Sequence, residues 1–376
     1  MPPASPSPSL EGHLLTPQGW RRGLLCLAGG RIATLEGDPV DEATARADTT
    51  RPLILPGFID LHLHGGGGAD TMDAGDAIHR IAALHARHGT TSLLATTMTA
   101  PLADIEAALS ALAPAIATRT PGCARVLGVH LEGPYIHPER LGAQPAFTRL
   151  PTLAEILALH ARAPIRVLTL APEVEGALAL IPALVGAGMR VQIGHSAASY
   201  DQACQAMAAG ASGFTHLFNA MGAFHHRAPG VAGAALAHAE QAELIPDLLH
   251  VHPGAMRAAL RAVPHLFAVT DATAAAGMPD GDYRLGRQTV RKCAGGVRLA
   301  DGTLAGSTLT MDQALRHLVQ IGLSVAEASA RTAPYPAHYL DLADRGVIAE
   351  GAWADLVALD PATLALRQVW VEGEAL

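Results

Sequence analysis

Lysine is nearly missing from this 376-residue chain: Lys292 stands alone, and arginine carries the remaining fixed positive charge. Cysteine is scarce too. Cys26, Cys123, Cys204 and Cys293 are scattered and form no CxxC pair. That argues against a thiolate zinc site and, in a chain this long, against a disulfide framework. No basic block offsets the formal net charge of −8. Neither nucleic acid nor an anionic membrane is therefore an expected partner. No apolar run reaches the roughly 18 residues that would span a bilayer. The opening "MPPASPSPSL" is rich in Pro and Ser and uncharged. It reads as a loose tail over residues 1–10, not a signal peptide, and the expected location is the cytoplasm.

What is present is an apolar, Ala- and Leu-rich chain, long enough for one large domain or two. Strand-like segments alternate with helix-like ones. The strand candidates are "GFIDLHLH", "TSLLATTM", "ARVLGVHLEG", "IRVLTLAPE", "MRVQIGHS", "GFTHLFN", "LIPDLLHVH" and "LFAVTDAT". Between them, "DAIHRIAALHARHG" places Ile78, Ile81, Ala82 and Leu84 on one helical face, with Gly89 as the stop. Eight such units predict an α/β fold, a (β/α)8 TIM-type barrel over residues 57–343. A doubly wound sheet is the alternative, but it would carry a glycine fingerprint after its first strand. Both ends read as alternating strands with turn glycines. They predict a small β-sandwich domain built from residues 1–56 and 344–376, with the barrel inserted between.

The chemistry-bearing residues cluster at predicted strand ends. In "LHLHGGGG", His62 and His64 are two apart and share a face. In "VHLEGP", His130 and Glu132 do the same, and a carboxylate inside an apolar run must be paired, protonated or bound to metal. His195 in "IGHS", His216 in "FTHLFNAM" and Asp271 in "VTDAT" follow. In a barrel these ends converge on one rim. Neutral imidazole and carboxylate are ligands for zinc and related divalent ions, which make water nucleophilic near neutral pH. Asp271 would exchange protons with that water and with a leaving nitrogen. Gly65–Gly68 would either line a phosphate with N–H groups or make a tight turn.

This constellation resembles the amidohydrolase superfamily. "PGFIDLHLHG", "HLEGPY", "LGAQ", "GHSAAS", "THLFNAM", "APGVAGAAL", "VTDATAAAGMPDG" and "AGSTLTM" resemble, more specifically, its N-acetylglucosamine-6-phosphate deacetylase family. The resemblance covers nearly the whole chain. It implies hydrolysis of the N-acetyl group of N-acetylglucosamine 6-phosphate, in amino-sugar catabolism, by one or two divalent ions per subunit. Zinc is expected, with iron, manganese or cobalt as alternatives. Glu132, His195 and His216 match ligands present throughout that family, and His62 and His64 the pair of its two-metal members. Asp271 matches the general base and acid. Many superfamily members bridge two ions with a carboxylated lysine. Lys292 lies beyond the eighth strand, so Glu132 is the expected bridge.

The same resemblance assigns substrate contacts. Asn219, Ala220 and Arg227 match groups that hold the phosphate, Arg227 reaching the neighbouring active site of a homodimer. His250, Ala143, Gln144, Leu304, Ala305 and Gly306 match positions near the sugar. Three departures touch recognition, one of them the segment "YIHPERLGAQ", which varies in that family. Gln144 stands where many members have histidine, and Leu248 in "PDLLH" replaces a glycine, which would narrow the sugar pocket. Two rival readings remain: an amidohydrolase acting on another N-acyl sugar or a cyclic amide, and an inactive barrel serving as a binding module.

Overall fold

The computed structural model describes residues 9–376. Eight parallel strands form the barrel: Phe58–Leu63, Thr90–Thr96, Arg125–Glu132, Ile165–Leu170, Arg190–Ile193, Gly213–Phe214, Gln241–Leu244 and His265–Ala268. The first six make one continuous parallel sheet, and the last two pair with each other. Backbone hydrogen bonds close the two gaps. Leu217 N–H reaches Glu243 C=O across one; Asp271 N–H reaches His62 C=O, and His64 N–H reaches Ala272 C=O, across the other. Closure rules out the open doubly wound sheet. The first two strands are buried along their whole length, as strands covered on both faces must be.

The helices follow the predicted spacing. Ala77–Arg87 buries Ile78, Ile81, Ala82 and Leu84. Gly89 follows at φ +86°, with an added Cβ only 2.7 Å from the Phe58 ring. Leu153–Arg162 and Tyr200–Ala208 are helices as expected, each opened by a hydroxyl cap, Thr152 and Ser199.

Three expectations need correction. The segment read as the seventh strand, "LIPDLLHVH", is mostly loop; the strand is Gln241–Leu244. Its later residues form a loop held by Asp247, whose carboxylate accepts from the N–H groups of Leu249 and His250. The chain also makes an unforeseen three-stranded antiparallel excursion after the eighth strand: Gly281–Leu285, Gln288–Cys293 and Gly296–Arg298. Lys292 sits there, its ammonium on the carbonyls of Met278 and Ala275. Finally, residues 1–8 of the expected tail lie outside the described residues, while Ser9 and Leu10 already belong to a strand.

Strands from both termini make the small β domain as one hydrogen-bonded seven-stranded sheet. Leu53–Pro56 is its seam, parallel to Ser9–Thr16 on one side and antiparallel to Leu356–Leu359 on the other. It has its own apolar cluster of Leu14, Leu25, Leu27, Ile32, Ile54 and Leu356.

Candidate active site

The strand ends deliver the site. Glu132 is the last residue of the third strand, His62 lies near the end of the first, and His64 just beyond it. His195, His216 and Asp271 lie two or three residues past the fifth, sixth and eighth strands. All three have left-handed backbones, with φ of +47°, +29° and +49°. Histidine and aspartate visit that region more readily than most residues, at some cost in strain. The turn ends each strand abruptly and aims its side chain at the barrel axis.

Two groups of donor atoms result. In the first, Glu132 Oε1 lies 3.1 Å from His195 Nε2 and 3.0 Å from His216 Nε2, and the two imidazole nitrogens are 3.1 Å apart. In the second, Glu132 Oε2 is 3.2 Å from His64 Nε2, which is 3.4 Å from His62 Nε2. Asp271 Oδ1 lies 3.3 Å and 3.6 Å from those two nitrogens. Donors on a tetrahedral ion with bonds of about 2.0–2.1 Å stand about 3.3 Å apart. Both groups match that spacing; Glu132 Oε2 faces His64, while Oε1 serves the first group and also lies 3.5 Å from His62 Nε2. His195 turns its Nδ1 to the Arg140 carbonyl at 2.8 Å, leaving Nε2 as the free lone pair.

The electrostatics make the same demand. Burial pushes Glu132 upward, yet His62 and His195 hold it well below the ordinary carboxylate range. Burial also opposes charge on His62, but Glu132 and Glu243 raise it well above ordinary histidine. Asp271 falls to about 2 because the hydrogen bond from His64 and the nearby imidazoles outweigh its burial. His64 rises to about 9 against the same burial, through Asp271 and Glu132. Buried carboxylates here require positive charge, which protons on imidazole or a divalent cation can supply.

The remaining residues sort clearly. A cavity of about 230 Å³ opens above the donor groups. Ala143, Gln144, Asn219 and Ala220 line it, as do His250, Leu304 and Gly306. Ala305 does not; it is fully buried, in the apolar cluster with Met98 and Leu285 that backs this wall of the cavity and partly forms it. Arg227 is exposed and outside this cavity, its guanidinium 2.8 Å from His226. His250 is held at Nδ1 by Asp247 at 2.6 Å; burial works against its charge, but Asp247 raises it above ordinary histidine.

Gln144 is committed at both ends. Its Oε1 accepts from Thr99 N–H at 2.6 Å, and its Nε2 donates to Glu132 Oε2 at 2.5 Å. Leu248 does not narrow the pocket. It takes the glycine-like backbone, φ +66°, but its side chain packs against the main core. His130 is no candidate ligand: its two nitrogens meet Leu61 O at 3.0 Å and Thr169 Oγ1 at 2.7 Å, and burial pushes it down to about 4. The glycines after His64 make a hairpin turn. Gly67 and Gly68 have positive φ, and the N–H groups of Gly65, Gly67 and Gly68 are spent on carbonyls of residues 272–276.

Sequence reasoning missed five contributors. Met98, Leu285 and Thr303 line the cavity; Leu285 comes from the excursion no periodicity announced and Thr303 from the segment that follows it. Glu243 accepts from His62 Nδ1 at 2.9 Å. Its signal is an acidic residue within "AELIP", lost because the expected strand begins at Leu244, just after it. Asp60 was also passed over, although it shares a face with His62. Burial raises it to about 7, and it accepts from Thr270 Oγ1 at 2.6 Å, tying the eighth strand's end to the first.

The amidohydrolase family model matches residues 53–375. The chain belongs to the amidohydrolase family. It is 43% identical over 372 residues to the N-acetylgalactosamine-6-phosphate deacetylase of Escherichia coli O157:H7, covering 96% of this chain and 97% of that one. It is 39% identical to the N-acetylglucosamine-6-phosphate deacetylase of Lysinibacillus sphaericus, over 88% of this chain and 87% of the relative. Among solved structures, a mutant of the Mycobacterium smegmatis N-acetyl-D-glucosamine-6-phosphate deacetylase, in complex with N-acetyl-D-glucosamine 6-phosphate, superposes with a TM-score of 0.90. That pair shares 37% identity over 99% of each chain.

Proposed function

We propose that this amidohydrolase is a metal-dependent deacetylase that hydrolyses the acetamide of N-acetylglucosamine 6-phosphate to glucosamine 6-phosphate and acetate. The observation that carries the reading is the convergence of Glu132, His195, His216, His64 and Asp271 on the floor of one cavity, with His62 buried directly beneath them within reach of Glu132 and His64. Glu132, His195 and His216 would hold one divalent ion, and His62 and His64, with Glu132, a second. Zinc suits this set of nitrogen and oxygen donors; iron, manganese and cobalt share it. When bound, such an ion polarises the acetyl carbonyl and acidifies water.

The chain's own residues do the rest. Asp271 accepts the proton that water loses as it attacks the carbonyl carbon. It returns that proton to the nitrogen as the C–N bond breaks, so acetate and a free amine leave. Asn219 and Ala220 line the cavity where the phosphate would enter. Arg227, a fixed fork of donors suited to phosphate, would complete that subsite in a second copy of a cytoplasmic homodimer. Ala143, Gln144, His250, Leu304 and Gly306 would contact the sugar, with Ala305 behind them. The barrel unit of this reading spans residues 57–343.

The relative at 43% identity acts on the galactosamine epimer, which favours a second reading of the sugar with unchanged chemistry. Acetate release from both 6-phosphorylated N-acetylhexosamines and from the unphosphorylated sugars tests both, with metal content determined on the same sample. Turnover restricted to phosphorylated sugars is expected, and the faster epimer identifies the substrate. Fully metal-loaded protein that releases no acetate from any of them would overturn the proposal.

A further inference from the structure

One carboxylate beneath the site belongs to neither donor group. Glu243 is fully buried on the seventh strand. A single oxygen, Oε2, accepts twice: from His62 Nδ1 at 2.9 Å and from the backbone N–H of His216 at 3.1 Å. His62 belongs to one donor group and His216 to the other. The first contact sets a tautomer. With Nδ1–H given to Glu243, the lone pair of His62 is on Nε2, the nitrogen that faces Glu132 and Asp271. The second contact holds a strained backbone, since His216 has a left-handed φ of +29°. On the side away from the donor atoms the His216 ring has no hydrogen bond: its Nδ1 lacks a partner among the described residues. Apart from its Nε2 contacts, the ring is directed by its backbone, and Glu243 Oε2 is one anchor of that backbone.

We infer that Glu243 is a positioning residue shared by the two donor groups, orienting His62 through its ring and His216 through its main chain. The inference rests on the metal-dependent reading above. The other cluster containing Glu243, with His62 and His130, offers no alternative role as an ion site. Both His130 nitrogens are already engaged, by Leu61 O and Thr169 Oγ1.

Two variants separate acceptor geometry from mere bulk. E243Q keeps a carbonyl oxygen that can accept both hydrogen bonds; E243L keeps the volume and accepts neither. Each would be chelated, checked for fold by circular dichroism and thermal melting, then titrated with zinc, with cobalt(II) absorption reporting imidazole coordination. Supporting partners of metal-binding histidines typically matter by about 10–100-fold in affinity. E243L is expected to bind the ion at the His62 and His64 position about 10–100-fold more weakly, with a smaller loss at the other. E243Q should stay within about threefold of wild type. Unchanged affinities in folded E243L, or equal losses in both variants, would overturn the inference. Wild-type protein that binds no zinc and releases no acetate would instead overturn the functional reading, and the inference with it.

Discussion

The third barrel strand, Arg125–Glu132, carries a charge cluster at each end, half-buried at its start and buried at its end, about 23 Å apart along an extended chain. At its start, Arg125 makes a two-pronged contact with Glu372 at 2.8 and 2.9 Å. Arg119 and Arg345 converge on the same carboxylate, and Arg345 also pairs with buried Asp355. At its end, Glu132 meets only imidazoles and the Gln144 amide. Both clusters bury carboxylates; they differ in what answers them. Guanidinium is a permanent cation and closes the account within the chain, welding the C-terminal strands to the barrel floor. Imidazole can release its proton and hand the role to a metal ion. One cluster is finished when the chain folds; the other is completed by something that exchanges.

That contrast can be broken from either end. The largest effect is expected from Glu132→Ala, which removes an oxygen from both donor groups. Acetate release should fall to background and bound metal should be lost, as elemental analysis of the purified variant would register. Next comes Asp271→Asn. On the proposed roles it keeps metal bound while kcat falls by about 10²–10⁴-fold, the usual worth of a positioned acid–base group. Full activity in that variant would sink the assignment of Asp271.

At the other end, Arg345→Met leaves Asp355 buried without its cation. Breaking such a pair costs about 3–5 kcal/mol. Denaturant unfolding should show that loss while zinc affinity stays at the wild-type value; weakened zinc binding would mean the two ends are not independent. The smallest effect concerns pH. The Glu372 carboxyl lies at about 2, against an ordinary 4.5, because its arginine partners outweigh its partial burial. A depressed carboxylate stabilises the fold fully above its unfolded value and loses that contribution as pH falls through its folded one. The stability gap between wild type and Glu372→Gln should therefore be full above about pH 4.5 and close toward pH 2. A gap independent of pH would show that the ion pairs contribute nothing.

Much of this was legible without coordinates, for particular reasons. Strand periodicity puts His62 on the same side as His64, and His130 on the same side as Glu132, whatever surrounds them. Helical spacing selected the buried face of Ala77–Arg87 correctly. Short strands were harder. Gly213–Phe214 is only two residues long, and Gln241–Leu244 lies ahead of the more apolar stretch that resembled it. His250 therefore stands in a loop held by Asp247, where a strand was expected.

The chain's own residue types determined the class of chemistry: imidazoles and a carboxylate at strand ends, one lysine outside the barrel, and no thiolate pairs. They also determined the alternation that closes into a barrel, because parallel strands need a crossover between each pair. Only the tertiary structure decided which of those residues share a cavity. Left-handed turns at His195, His216 and Asp271 aim side chains that spacing leaves undirected. Contacts between residues far apart in sequence made Glu243 a partner of His62 and engaged Gln144 with Glu132. The reason is physical. Local pattern records which face of an element is buried, whereas the partner of a buried polar group depends on what the rest of the fold brings within hydrogen-bonding reach.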